Sequence, residues 1–189
     1  MHGAEDLQCR NTVHSLQRRR NREAGLRIRF WLLLLYLIAA SLYLVRTAGQ
    51  LPTLVASHFG ASGAANGFMP RTTYVSLMLL ITLGVPLLLA ILPGVAIRMP
   101  GARINLPHRD YWLAPERADK TVDRLSGYMT CHAIAVGVFL CYAQGLVVRA
   151  NGQGSPHLSS AAMVAGLLVL LTFVAGSLIH MWRSFAKPD

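Results

Sequence analysis

Thr72-Thr73-Tyr74-Val75-Ser76-Leu77-Met78-Leu79-Leu80-Ile81-Thr82-Leu83-Gly84-Val85-Pro86-Leu87-Leu88-Leu89-Ala90-Ile91-Leu92-Pro93-Gly94-Val95-Ala96-Ile97 holds 26 residues without one Asp, Glu, Lys or Arg. A membrane-spanning helix needs about 20 mostly apolar residues, each adding about 1.5 Å against a hydrocarbon core of about 30 Å. Three other charge-free runs frame this one: Phe30–Val45 with 16 residues, Leu125–Val148 with 24 and Ala150–Trp182 with 33. The first is slightly short, but Arg29 and Arg46 flank it and can snorkel to the headgroups. Charged residues are 14% of 189, against about 25% in an ordinary soluble domain. That excludes a soluble globule, a disordered chain and a disulfide scaffold. The sequence predicts an all-α membrane protein with four transmembrane helices, near Ile28–Thr47, Tyr74–Ile97, Ser126–Val148 and Ser159–Trp182.

The basic residues set the expected orientation. The N-terminal arm carries seven, the loop after the second helix six and the C-terminal tail two, which places fifteen on one face. The other face has three: Arg46, Arg71 and Arg149. Both termini are therefore expected in the cytosol, with the Gly49–Arg71 loop outside. The segments then divide as 1–27, a basic cytoplasmic arm; 28–97, helices one and two with a hairpin over 48–73; 98–124, a cytoplasmic loop; 125–182, helices three and four; and 183–189, a cytoplasmic tail.

A net charge of +10 in a soluble protein would suggest nucleic acid. Here the cations flank spans, so the expected partner is the bilayer with its anionic lipids, and no nucleic acid. Gln17-Arg18-Arg19-Arg20-Asn21-Arg22 has the look of a twin-arginine export signal, yet Glu23-Ala24-Gly25-Leu26-Arg27 follows in place of an apolar stretch. The arm reads as an uncleaved anchor. Cys9, Cys131 and Cys141 offer neither a disulfide framework nor metal spacing; the last two sit about 15 Å apart along one helix.

Within the spans, Gly84 and Pro86 predict a kink in the second helix, because proline removes one backbone hydrogen bond. The third helix is expected to begin near Pro115, a first-turn residue, with Glu116 and Asp119 complementing the helix dipole. Tyr111 and Trp112, just before it, are placed for the headgroup layer. Ala133, Gly137, Cys141 and Gly145 form a narrow small-residue face, and Ala161–Ala165 with Ala162–Gly166 on the fourth helix are its expected counterpart.

No Asp, Glu, Lys or Arg lies inside a span. His132 and His180, at similar depth, form a candidate intramembrane polar pair, titratable near neutral pH; hydrogen bonding to a nearby carbonyl is the plainer role for each. Gln144 is expected to hydrogen-bond between helices. There is no G-x-S-x-G, H-E-x-x-H or phosphate-cradling glycine loop, so neither an enzyme nor a cofactor is expected. A metal is not expected either, since His58 and His157 are the outer face's only histidines.

Leu51-Pro52-Thr53-Leu54-Val55-Ala56-Ser57-His58-Phe59-Gly60-Ala61-Ser62-Gly63-Ala64-Ala65-Asn66-Gly67-Phe68-Met69-Pro70-Arg71 is the informative loop. Val55–Phe59 reads as an extended segment returning at Gly67-Phe68-Met69, with turn chemistry at Gly60, Gly63 and Asn66-Gly67. The expectation is a compact hairpin over the helix ends, with the His58 imidazole fixing it through backbone hydrogen bonds and Phe59 plugging onto the helices.

Leu51, Pro52, Val55, His58, Phe59, Gly63 and Asn66, followed by Pro86 in the next helix, form a pattern that resembles an uncharacterised domain. That domain stands at the N-terminus of the family containing the immunity protein of the bacterial sporulation-delaying toxin system. The likeness runs roughly from Ile28 to Pro93; Ala56, Gly60 and Ala65 depart from the pattern. The second half is similar to short stand-alone members. The resemblance implies a bacterial inner-membrane protein with an outward His-Phe hairpin, its candidate motif being Leu51, Pro52, His58, Phe59, Gly63 and Asn66. Together these features lead to a non-enzymatic binding, signalling or immunity-type protein that works with a second membrane protein or as a homo-oligomer. The alternative is a small transport or permeation component using His132 and His180.

Overall fold

The computed structural model describes residues 2–96 and 105–186, with the backbone alone for most of residues 2–22. Arg98, Arg103 and Lys187, counted in the charge asymmetry, lie outside the described residues. The elements are α1 (His2–Ala48), β1 (Leu54–Phe59), β2 (Ala65–Pro70), α2 (Arg71–Ala96), α3 (Arg109–Trp112), α4 (Ala118–Asn151) and α5 (Ser160–Phe185). Four helical segments are long and apolar enough to cross a membrane: Glu23–Ala48, Arg71–Val95, Ala118–Asn151 and Ser160–Phe185.

Two of the segments outside the charge-free runs are helical in part. The basic arm is continuous with the first span, because α1 runs unbroken from His2. The 98–124 loop is partly helical, holding α3 and the first turns of α4. Pro115 stands three residues before α4, whose first turn carries Asp119. Trp112 packs against protein. It is buried against Phe185 with ring centroids 5.3 Å apart, and its Nε1 donates to the Phe185 carbonyl at 2.9 Å. An indole buried in this way keeps its N–H satisfied. Tyr111 instead stacks under the Arg117 guanidinium at 4.0 Å.

α4 is the axis of the bundle, packing against α1, α2 and α5. Its small-residue face meets α1, not α5. A Cβ on Gly137 would fall 2.1 Å from the Tyr36 hydroxyl, and one on Gly145 would fall 2.7 Å from the Tyr43 hydroxyl. The glycines are notches for tyrosines, and a tyrosine needs its hydroxyl paired when it is buried in hydrocarbon. Tyr36 finds that pair on α2. Pro86 has no N–H, which leaves the Thr82 carbonyl one turn earlier without its helical donor. The Tyr36 hydroxyl donates to that carbonyl at 2.7 Å. A proline on α2, a tyrosine on α1 and a glycine on α4 thus form one joint. On α5 the notch is Gly166, filled by the Tyr142 ring of α4.

Opposite the hairpin, Arg29 of α1 pairs with the Asp123 carboxylate of α4 and donates to its backbone carbonyl at 2.6 Å. This charge-assisted contact ties the two helices near the end of the span.

Candidate functional site

β1 and β2 pair antiparallel, with Leu54 opposite Pro70, Val55 opposite Met69, Ala56 opposite Phe68, His58 opposite Gly67 and Phe59 opposite Ala65. Ser57 and Asn66 fall between paired positions as bulges on the two strands. Bulges bend a ribbon and re-aim its side chains. Here they separate a flank of buried residues, Val55 and Ala56, from an exposed outer face of Leu54, His58, Asn66 and Phe68.

The ribbon is held from below by α4. The Asn151 carboxamide accepts from the Ala56 N–H at 2.8 Å and donates to the Ala56 carbonyl at 3.0 Å. A side chain thereby takes the place of a third strand, satisfying both backbone groups of a fully buried residue. One layer deeper, the Tyr74 hydroxyl of α2 donates to Gln144 Oε1 at 2.6 Å, and Gln144 Nε2 reaches Thr47 Oγ1 of α1 at 3.4 Å. Gln144 is 1% exposed, and its hydrogen bonds join three helices. Leu51, Val55 and Tyr74 pack around this network as an apolar cluster.

The tip is held by the α4–α5 connection. Leu158 N donates to the Gly63 carbonyl at 2.8 Å, Ala65 N donates to the Pro156 carbonyl at 3.3 Å, and Ala64 bridges His157. Gly63 has φ 88°, and a Cβ there would lie 2.3 Å from the Leu158 carbonyl. Both the left-handed backbone and the close approach require glycine. Ser160 Oγ adds a bond to the Ala61 carbonyl at 3.1 Å.

The motif residues divide between frame and face. Leu51 is buried, Gly63 takes the turn and Phe59 packs toward Leu146, Ala150 and Leu158. Pro52, His58 and Asn66 are exposed. His58 does not fix the hairpin through backbone hydrogen bonds. Its Nδ1 lies 3.0 Å from Ser57 Oγ, and its Cβ covers Gly67, where an added Cβ would come within 2.9 Å. Steric fit over a glycine and one contact to a neighbouring hydroxyl, not backbone hydrogen bonds, seat this side chain.

His132 and His180 are not hydrogen-bonded to each other. His132 is buried, its Nδ1 lies 2.8 Å from the Tyr128 carbonyl, and its ring lies 6.0 Å from Phe173. Its Nε2 has no partner among the described residues. His180 is exposed and lies 6.0 Å from the Tyr128 ring. Among the described residues no three His, Cys, Asp or Glu side chains gather as a metal site.

Asn151 and His157 were not singled out from the sequence. Asn151-Gly152 ends a long apolar helix, a signal for a turn; only the folded chain turns that carboxamide onto β1.

Four apolar helices carrying a braced two-stranded ribbon place this chain among multi-pass membrane proteins. Residues 32–83 match the family profile described as a domain of unknown function, DUF1648. No curated protein and no solved structure matches the chain. The matched segment is a helix–hairpin–helix unit: the last third of α1, the ribbon and the first half of α2. Gln144, Asn151 and His157, which brace that unit, lie beyond it.

Proposed function

We propose that the protein is a non-enzymatic binding component of the bacterial inner membrane, with both termini cytoplasmic and the hairpin periplasmic. It acts through the outer face of the hairpin on a second membrane protein or another copy of itself. Signalling or toxin immunity, the activity toward which the resemblance points, is one form such binding takes. The observation that supports this reading most is the contrast within the ribbon. Its inner flank is pinned by Asn151 and the α4–α5 connection, while Leu54, His58 and Phe68 stand exposed on the outer face. A preorganised surface loses little entropy when a partner docks, and exposed apolar groups beside a polar one are the usual composition of such a contact.

The transport alternative has less support, because His132 and His180 each contact Tyr128 and not each other, and no carboxylate lies in the charge-free runs Leu125–Val148 and Ala150–Trp182 that hold them.

The test pairs His58→Ala with Phe68→Ser and measures partner recovery by co-purification from native membranes. The reading expects membrane abundance to hold while a specific partner is lost. Unchanged recovery in both variants removes the hairpin as the site. Reporter fusions at Gly63 and Gly154 should be active as periplasmic enzymes and a C-terminal fusion should not; an active periplasmic reporter at the C-terminus overturns the topology.

A further inference from the structure

Arg149 closes the last turn of α4 on the hairpin side, and its guanidinium has no hydrogen bond or ion pair among the described residues. It lines a cavity of about 300 Å³ between the ends of α1 and α4, together with Tyr43, Thr47 and Gln50. The Tyr43 hydroxyl and the Gln50 side-chain carboxamide likewise make no hydrogen bond among the described residues and add polar groups to that lining. No carboxylate is available to compete. The sequence between Glu23 and Asp110, and again between Asp123 and Asp189, contains no acidic residue. A guanidinium flanked by neutral hydrogen-bonding groups, with no acid nearby, is chemistry for a phosphate oxygen.

A second, apolar cavity lies next to it along α4. Tyr142 lines both. The second cavity, about 550 Å³, lies between α4 and α5 and is walled by Ala135, Val138, Phe139, Val169 and Phe173. On α4 the lining residues 135, 138, 139, 142, 145, 146 and 149 follow steps of three and four, which is one face of a helix. From residue 149 to residue 135 this face descends about 21 Å, beyond the roughly 15 Å of one leaflet's hydrocarbon. A cationic head site and an apolar trough are thus stacked on one face of α4, on either side of Tyr142, over a depth that suits an acyl chain.

We propose that this face is a binding site for one anionic glycerophospholipid of the hairpin-side leaflet. The phosphate sits against Arg149, Gln50 and Tyr43, and one acyl chain lies along Val138 and Val169 between α4 and α5. The site differs from general attraction of lipids to the basic ends of the spans, because it lies at the end with the fewest cations and has a shaped apolar continuation. It stands independently of the partner proposed for the hairpin.

The test is native mass spectrometry of the whole chain released from mixed micelles containing equal palmitoyl-oleoyl phosphatidylglycerol and phosphatidylcholine. One phosphatidylglycerol should be retained with a preference of about tenfold or more, the size of effect a charge-assisted hydrogen bond gives. Arg149→Gln should bring the preference to parity, Gln50→Leu should reduce it in part, and Arg183→Gln at the far end should leave it intact. Val169→Trp, filling the trough from an exposed position, should weaken retention of the long-chain lipid but not of dihexanoyl phosphatidylglycerol. Equal retention of the two headgroups by the native chain, or an undiminished preference in Arg149→Gln, overturns the head site. Unchanged long-chain retention in Val169→Trp overturns the chain assignment.

Discussion

α1, α2 and α4 are interlocked, whereas α5 is held at its ends and by ring contacts to α4. Tyr36 and Tyr43 fill notches on α4, Tyr36 also satisfies the carbonyl freed by Pro86, and Gln144 joins all three helices at the hairpin end. α5 is tied by Ser160 to the hairpin tip and by Phe185 to Trp112, with Tyr142 over Gly166 between. Elsewhere most of its side chains face outward and a trough separates it from α4. In lipid, apolar side chains gain nothing by leaving hydrocarbon, so association depends on steric fit and hydrogen bonds. Where those are dense the bundle is a frame; where they are sparse it can admit a lipid tail.

The sharpest way to break this comparison is a matched pair of glycine substitutions. Gly137→Leu would drive a side chain into the Tyr36 ring, and overpacking of this kind costs about 1–3 kcal/mol or more. Its unfolding midpoint in detergent and its membrane abundance should fall steeply. Gly176→Leu on α5, where nothing lies within 4 Å of an added Cβ, should leave both unchanged. Equal losses in the two variants would mean that α5 is as tightly packed as α1.

Next in size is the hairpin brace. Asn151→Leu leaves both backbone groups of Ala56 without their partner, at a cost of about 1–3 kcal/mol for a buried unsatisfied group. Amide hydrogen exchange across Leu54–Phe59 should accelerate, while exchange in α5 stays at its native rate. Protection of β1 that survives the substitution would place its support elsewhere.

A smaller effect sharpens the account of the α1–α2–α4 joint. Tyr36→Phe should cost roughly 0.6 kcal/mol, a typical value for a hydrogen bond between membrane helices. In a Pro86→Ala background the helix supplies its own donor to Thr82, so the same change should cost close to nothing. Additive losses in that double-mutant cycle would remove the link between proline and tyrosine. The least effect is expected from His132→Gln combined with His180→Gln, which disturbs only ring contacts and one local carbonyl bond. Expression and partner recovery should be nearly native; lost function at native abundance would revive the transport reading.

Much of the frame was readable in the residues themselves. Charge-free runs marked four spans because a charge is costly in hydrocarbon. Pro115 anticipated the start of α4, and the glycines at 60 and 63 anticipated a ribbon between the first two long helices, whereas Asn66-Gly67, read as a turn, lies within β2. The site was legible only in outline: Phe59 and Gly63 take the expected places, but Asn151 and the His157 connection reach the ribbon from about 90 residues away, and local pattern does not encode such contacts.

Sequence alone determined that this chain has four apolar helices and one turn-rich ribbon, because burial in lipid and backbone freedom are local properties of residue type. Tertiary structure alone decided which helix each notch receives. Gly137 and Gly145 face α1 and not α5 because hydrocarbon is equally good solvent for every apolar face. Periodicity therefore shows a face without naming its partner, and the choice falls to shape and to the few polar atoms that must be paired, such as the Thr82 carbonyl above Pro86.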